Sequence, residues 1–188
     1  MRLCRSQVLG HGSAGEDAEG PVGGQALAAA LRASLGEDRL LLTVDADGGY
    51  DLAALAAQCD GLLLATTPDP VTKNGIRVAP LEPPEEIVGS LAAVPAAARG
   101  KLILTLSTTA GGRTEAEVQA LAAKNRAYYS DRYAQSYLLP SGGSAVWYHD
   151  EASIQERGQL CRLFGIGTVA LSDLSALSEG SGILKGIR

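Results

Sequence analysis

The sequence predicts an α/β protein, a three-layer sandwich built on a central, mainly parallel sheet. Short apolar runs rich in Leu, Val and Thr alternate with segments whose apolar residues recur at helical spacing. The stretches between successive runs are long enough for the crossovers that parallel strands require. Hydrophobic residues make up 46% of the chain and aromatics only 4%, so Ala, Leu and Val must fill the core. Such small side chains suit tight packing of helices on a sheet.

RLCRSQVLG opens the chain as a weakly apolar first strand, followed by a glycine-rich loop. In GGQALAAALRASLG (Gly23 to Gly36), Leu27, Leu31 and Leu35 fall on one helical face and a glycine supplies the stop. RLLLTVDA (Arg39 to Ala46) reads as a buried strand, DLAALAAQ (Asp51 to Gln58) as a short helix with Asp51 as N-cap, and GLLLATT as the next strand. Pro80, Pro83 and Pro84 forbid a regular helix before Glu85, whereas Ile87, Leu91 and Val94 suggest one after it. KLILTLST (Lys101 to Thr108) is the clearest strand. Thr114 and Glu117 form a capping-box pattern at the head of TEAEVQALAAKNRAYYSDRYA, which is expected to run as the longest helix, to Ala134. QSYLLPSGG supplies a possible last strand and a loop, DEASIQERGQLCRLFG (Asp150 to Gly165) a final helix, and GTVAL its continuation or a short edge strand.

The expected organisation is one α/β domain over residues 1–174 and a tail over 175–188 that is either loosely held or docks on a partner. A formal charge of −5 and scattered Lys and Arg give no footprint for nucleic acid. No apolar run is long enough to span a membrane, and the start lacks a signal-peptide core, so a soluble, cytoplasmic protein is expected. Cys4, Cys59 and Cys161 stand far apart without CxxC spacing, which reads as small buried hydrophobes rather than a zinc or redox site. His11 and His149 lack metal-ligand spacing, and Ser141 lacks the surroundings of a nucleophile elbow.

Ligands of open α/β sheets bind where strands end at their carboxyl side, so three loops carry the candidate chemistry. Leu9 to Gly24 is glycine-rich and offers backbone N–H groups and Ser13 to a phosphate, although Glu16, Asp17 and Glu19 share the loop. TTPDPVTKNGIR offers Thr66, Thr67 and Lys73 before an Asn74-Gly75 turn. STTAGGR (Ser107 to Arg113) combines hydroxyls, paired glycines and an arginine. Tyr128, Tyr129, Tyr133 and Tyr137 are expected either to stack on a ligand or to pack at a subunit interface, with Trp147 and Tyr148 extending that surface.

DGLLLATTP, LILTLSTTAGG and LCRLFGIGTVA, with GSAG in the place of a phosphate loop, resemble in that order the landmarks of flavodoxin-like NAD(P)H-dependent FMN reductases and quinone oxidoreductases. The resemblance implies an FMN with its phosphate at Ser13, Ala14 and Gly15. Its isoalloxazine would lie between Thr67, Pro68 and Asp69 on one side and Thr108, Thr109, Gly111 and Gly112 on the other. The flavin would carry hydride from a nicotinamide to a small acceptor, in a protein expected to form homo-oligomers or to bind a protein partner. GHGS, GEDAEGP, DGG and NGIRVAPLEPPEE are similar to landmarks of hydrogenase maturation endopeptidases, which would make Asp17 a metal-contacting carboxylate. A third expectation is a degenerate α/β domain that serves as an assembly or maturation partner.

Overall fold

A computed structural model describes residues 5–8, 21–45, 49–66, 68, 70–73, 75–141 and 144–187. Its centre is a sheet of five parallel strands in the order β1 (Arg5–Val8), β2 (Leu40–Asp45), β3 (Gly61–Ala65), β6 (Leu102–Leu106) and β10 (Val169–Leu171). The expected α/β class and parallel sheet are therefore present. GTVAL forms the edge strand β10 rather than a helical continuation.

Each crossover carries helix. α1 (Pro21–Leu35) joins β1 to β2, α2 (Leu52–Gln58) joins β2 to β3, and α3 (Pro84–Ala93) with α4 (Ala96–Arg99) lead into β6. Sequence logic places their ends. Asp51 accepts the Ala54 N–H at the head of α2, and α3 starts at Pro84, where a missing N–H costs nothing. In α1 the inward stripe is Ala28, Leu31 and Leu35, and Leu27 is left 42% exposed. Between β3 and α3, β4 (Val71–Lys73) and β5 (Ile76–Val78) make an antiparallel hairpin, in which Gly75 takes a φ of 76°.

The strands advance in one direction through the sheet, with no reversal of order. Right-handed crossovers that never reverse put their helices on one face, whereas a doubly wound sheet reverses and divides them. Packing agrees: Leu40, Leu42, Val44, Leu62, Leu64, Leu102 and Leu104 form one cluster with residues from α1, α2, α3 and α4. The same cluster takes in Ile154 and Cys161 of α6 (Glu151–Leu163) and Ile183 of α7 (Gly182–Gly186).

One element departs from expectation. The helix that Thr114 caps ends at Ala122 (α5, Glu115–Ala122), and the chain from Ala127 becomes a strand instead of continuing to Ala134. The capping box is formed, with Thr114 Oγ1 accepting the Glu117 N–H and Glu117 Oε2 accepting the Thr114 N–H. Past Asn125, the pair Tyr128-Tyr129 gains more from cross-strand partners than from another helical turn. β7 (Ala127–Ser130), β8 (Gln135–Leu138) and β9 (Val146–Tyr148) make a separate antiparallel sheet, so Gln135–Leu138 is not the last strand of the parallel one. Tyr128 stacks on Tyr137 at 5.5 Å, Tyr137 on Trp147 at 4.6 Å, and Tyr133 meets Trp147 edge-on at 5.2 Å. After β10 come a 3-10 turn at Leu174–Ala176 and α7, which packs on α6. No described helix is long and apolar enough to cross a membrane.

Candidate functional site at the carboxyl edge of the sheet

β2 ends in Asp45, β3 runs into Thr66, β6 into Ser107 and Thr108, and β10 into Ser172 and Asp173. Thr108 is tied to the neighbouring strand end: its N–H donates to Ser172 Oγ at 3.1 Å, its Oγ1 lies 3.2 Å from that oxygen, and it accepts the Asp173 N–H at 3.1 Å. Its backbone donor is thus spent on joining β6 to β10. Thr66 is buried, and its Oγ1 has no hydrogen-bond partner among the described residues.

Behind Ser107 stands a polar cluster drawn from distant parts of the chain. Ser107 Oγ donates to Glu82 Oε1 at 2.6 Å and its N–H to Oε2 at 3.2 Å. His149 Nε2 lies 2.7 Å from Glu82 Oε2 at the far side of the carboxylate. Nδ1 of the same ring faces the Gln135 Nε2 amide at 3.1 Å, which can only donate. Nδ1 therefore accepts, and the ring proton sits on Nε2, pointing at Glu82. Gln135 completes its own set by accepting the Leu81 N–H through Oε1.

Arg157, fully buried on α6, holds this cluster in place. Its guanidinium donates to the carbonyls of Leu81, Glu82, Tyr133, Ala134 and Ser153. Glu82 and Ala134 are non-glycine residues with φ of 38° and 45°, a conformation that persists only where its surroundings enforce it. Burial pushes the Arg157 guanidinium below its ordinary value, and the Glu82 charge opposes that most strongly. Two strained turns and a buried carboxylate thus depend on one cation.

A cavity of about 300 Å³ opens beside this edge, lined by Ser107, Thr108, Thr109, Val118, Tyr148 and His149 among others. Of the residues that the flavin resemblance implied, it brings together Thr108 and Thr109, and Ser107, Tyr148 and His149, also noted in the sequence, line it with them. Gly111 and Gly112 fall elsewhere, at φ of 60° and 81° in a tight turn closed by Ala110 and Arg113 backbone bonds of 2.9 and 3.3 Å. Positive φ at both central positions is what such a turn demands, so these glycines serve the turn. Pro68 is half-buried after β3. Ser13, Ala14, Gly15, Thr67 and Asp69, like His11, Asp17 and Cys4, lie outside the described residues. Among the described residues no cluster of His, Cys, Asp or Glu is arranged to hold a metal ion.

No protein-family model and no curated protein matches the sequence. Solved structures do match the fold. A chitinase from Chromobacterium violaceum superposes with a TM-score of 0.69 at 18% identity, covering 89% of this chain and 62% of its own. The spore cortex-lytic enzyme SleL from Bacillus megaterium gives 0.68 at 15% identity, over 88% of this chain and 45% of that one. A glycoside hydrolase family 18 N-acetylglucosaminidase from Paenibacillus barengoltzii gives 0.64 at 14% identity, over 90% and 63%. The chain therefore spans less than two thirds of each of these proteins.

These likenesses correct the family readings. The neighbours named are a chitinase, a spore cortex-lytic enzyme and an N-acetylglucosaminidase, not flavodoxin-like FMN reductases, quinone oxidoreductases or hydrogenase maturation endopeptidases. FMN and hydride transfer go with that correction, as does the reading as a degenerate assembly or maturation partner. The physical reasons are local as well. The strand order lacks the reversal at which a flavodoxin-like sheet binds its flavin, the Thr108 N–H is already bonded, and Gly111 and Gly112 close a turn. The sequence motifs misled because an apolar strand followed by Thr, Ser and Gly occurs in any parallel α/β protein. Glu82, Gln135, His149 and Arg157 were not singled out as a cluster. Partners 67 and 75 residues apart leave no local spacing to find, and the one available signal was a lone acid between prolines in LEPP.

Proposed function

We propose that the chain forms a large segment of a barrel of the glycoside hydrolase family 18 type and recognises β-linked N-acetylglucosamine glycans at the carboxyl edge of its sheet. The observation that carries this reading is the run of five parallel strands in sequential order, together with the likeness to a chitinase over 89% of the chain. Sequential order is how barrel strands succeed one another, and barrel enzymes place their chemistry at the carboxyl ends of the strands. Ser107, Thr108, Thr109 and Tyr148 line the cavity beside that edge, a set of hydroxyl-bearing side chains of the kind that sugar sites use.

Hydrolysis also needs a carboxylic acid able to protonate the leaving oxygen, and family 18 chemistry is substrate-assisted rather than dependent on a pair of carboxylates. Glu82 is the enclosed carboxylate nearest this edge, but Ser107 and His149 engage both of its oxygens. The Ser175 hydroxyl and N–H hold Asp173 below the usual carboxylate range, which suits it to accept hydrogen bonds rather than give a proton. Glu82 supports the edge, and recognition is the core of the reading.

The test is retention on chitin and on purified peptidoglycan, with mass spectrometry of soluble products after incubation with chitohexaose. Retention on either polymer is the expected result, and released oligosaccharides would add hydrolysis. A protein that neither binds nor cleaves any of the three overturns the reading.

A further inference from the structure

The cavity beside Thr108 and His149 is walled in part by the last helix: Gly182 and Ile183 of α7 line it together with Glu115 and Val118 of α5. One carboxylate fastens that wall. Glu115 accepts the Ser178 N–H through Oε2 at 2.8 Å and the Ser181 hydroxyl through Oε1 at 3.0 Å, so both of its oxygens serve residues 63 and 66 positions away. Ser181 is 2% exposed, and its Oγ also accepts the Ile183 N–H at the head of α7. Hydrogen bonds to a charged group are stronger than those between neutral groups, so Glu115 carries much of the hold of this segment on α5.

The second hold is on α6. A Cβ at Gly186 would lie 2.7 Å from the Glu151 carbonyl oxygen and 2.8 Å from Ile154 Cβ, so only glycine lets the two helices come this close. Ile183 is buried in the main cluster with Ile154. Past these anchors α7 is open, with Leu184, Lys185 and Ile187 exposed. Val118 of α5 packs with the antiparallel sheet, whereas α6 packs with the parallel one, so α7 bridges the two units beside the cavity. A segment held by a few buried contacts opens locally, at less cost than unfolding the whole chain.

We infer that residues 178–187 form a strap that opens and closes over the cavity, with Glu115 as the positioning residue that latches it and a bound glycan as the ligand that keeps it shut. The inference rests on the glycan reading above for its ligand and concerns the regulation of that site. Closure and binding favour each other by the same factor, as linked equilibria must.

Amide hydrogen exchange of the full chain, resolved by residue with nuclear magnetic resonance, tests this. The Ser178, Ser181, Ile183 and Lys185 amides are bonded to Glu115 or within the strap, and the Leu104 amide of β6 is bonded to Thr168. The four strap amides should exchange at least about tenfold faster than Leu104. Glu115→Gln, whose amide group cannot accept at both positions, should speed the strap at least about tenfold further. Leu104, and Val118 within α5, should keep their rates, which a merely structural role of Glu115 in its own helix would not allow. Ser181→Ala removes one latch bond, should act in the same direction, and serves where Glu115→Gln does not fold. Saturating chitobiose should slow the strap amides, and Glu115→Gln should weaken chitobiose binding about fivefold. Strap amides no faster than Leu104, or variants that speed Leu104 as much as the strap, overturn the inference, because opening is then global. Chitobiose that binds without slowing the strap overturns it as well. Absence of chitobiose binding sinks the glycan reading alone, and the strap is then decided by exchange in the free protein.

Discussion

The two faces of the parallel sheet are built from neighbouring residues of the same strands, yet they meet different surroundings. On the helix side, Leu42, Leu62, Leu64 and Leu104 are each 0% exposed and touch one continuous cluster. On the other side, Leu41, Thr43, Leu63, Ile103 and Thr105 are only half-buried, and Thr105 Oγ1 has no partner among the described residues. Register aligns each set across strands, with Leu42 beside Leu62 and Leu62 beside Leu102, and likewise Leu41 beside Gly61. A parallel sheet is normally covered on both faces, and in a barrel the second cover is the sheet's own far side. The half-buried face is the one that the barrel proposed above would turn inward. Gly61 fits that picture, since a Cβ there would come within 2.8 Å of the ends of Leu41 and Ile103, which close over it.

The sharpest way to break this comparison is to truncate adjacent residues on opposite faces. Leu104→Ala removes a side chain from the filled cluster and should cost about 3 kcal/mol of unfolding free energy. Ile103→Ala removes a similar volume from the half-buried face and should cost about 1 kcal/mol. Denaturant titration of both variants settles the matter. Equal losses would mean that the second face is as well packed as the first.

A smaller effect sharpens the same contrast through reactivity. Cys59 and Cys161 are buried in the helix-side cluster, and burial pushes the Cys161 thiol from 9.0 up to about 11. That change alone lowers its thiolate fraction roughly a hundredfold, and burial restricts access further. Neither thiol should react with iodoacetamide in the folded protein within the time that labels a cysteine placed at Thr43→Cys on the other face. Mass spectrometry of the labelled peptides reads the order. Faster labelling of Cys161 than of the introduced thiol would reverse the assignment of faces.

The same contrast explains what was legible in the sequence. Strand runs such as LILTL and the capping pair Thr114 and Glu117 are local signals, and the structure repeats them. Helix-side burial of Leu31, Leu35, Ile87, Leu91 and Val94 also follows from spacing. Strand order is not local, because each alternation of strand and helix is compatible with a sheet that reverses and with one that proceeds. Flavodoxin-like and barrel-like readings diverge only there. The sequence extends the helix past Tyr128 because the Thr114 start is strong and no proline stops it, whereas in the structure the tyrosines pair across strands. The Glu82, His149 and Arg157 cluster was invisible for the same reason as strand order, since it depends on which distant segments meet.

The smallest expected effect lies at the opposite, amino-terminal edge of the sheet, where Arg32 of α1 pairs with Asp60 just before β3. Asp60 also accepts the Leu40 N–H at 2.7 Å, so it joins the helix layer to the starts of two strands. The Arg32 hydrogen bond first, and the Leu40 N–H second, hold the Asp60 carboxyl below its ordinary 3.8. A carboxyl lowered on folding stabilises the folded state above its unfolded value, and that contribution fades as pH falls through the lower folded value. Both side chains are partly open to water, at 29% and 41%, so solvent screening limits the contribution to under about 1 kcal/mol. Asp60→Asn should therefore lower stability slightly near neutral pH, with the gap from the parent chain closing only below about pH 4. A gap that stays constant from neutral pH to below that point would show that Asp60 acts through the Leu40 hydrogen bond and its shape, not through its charge.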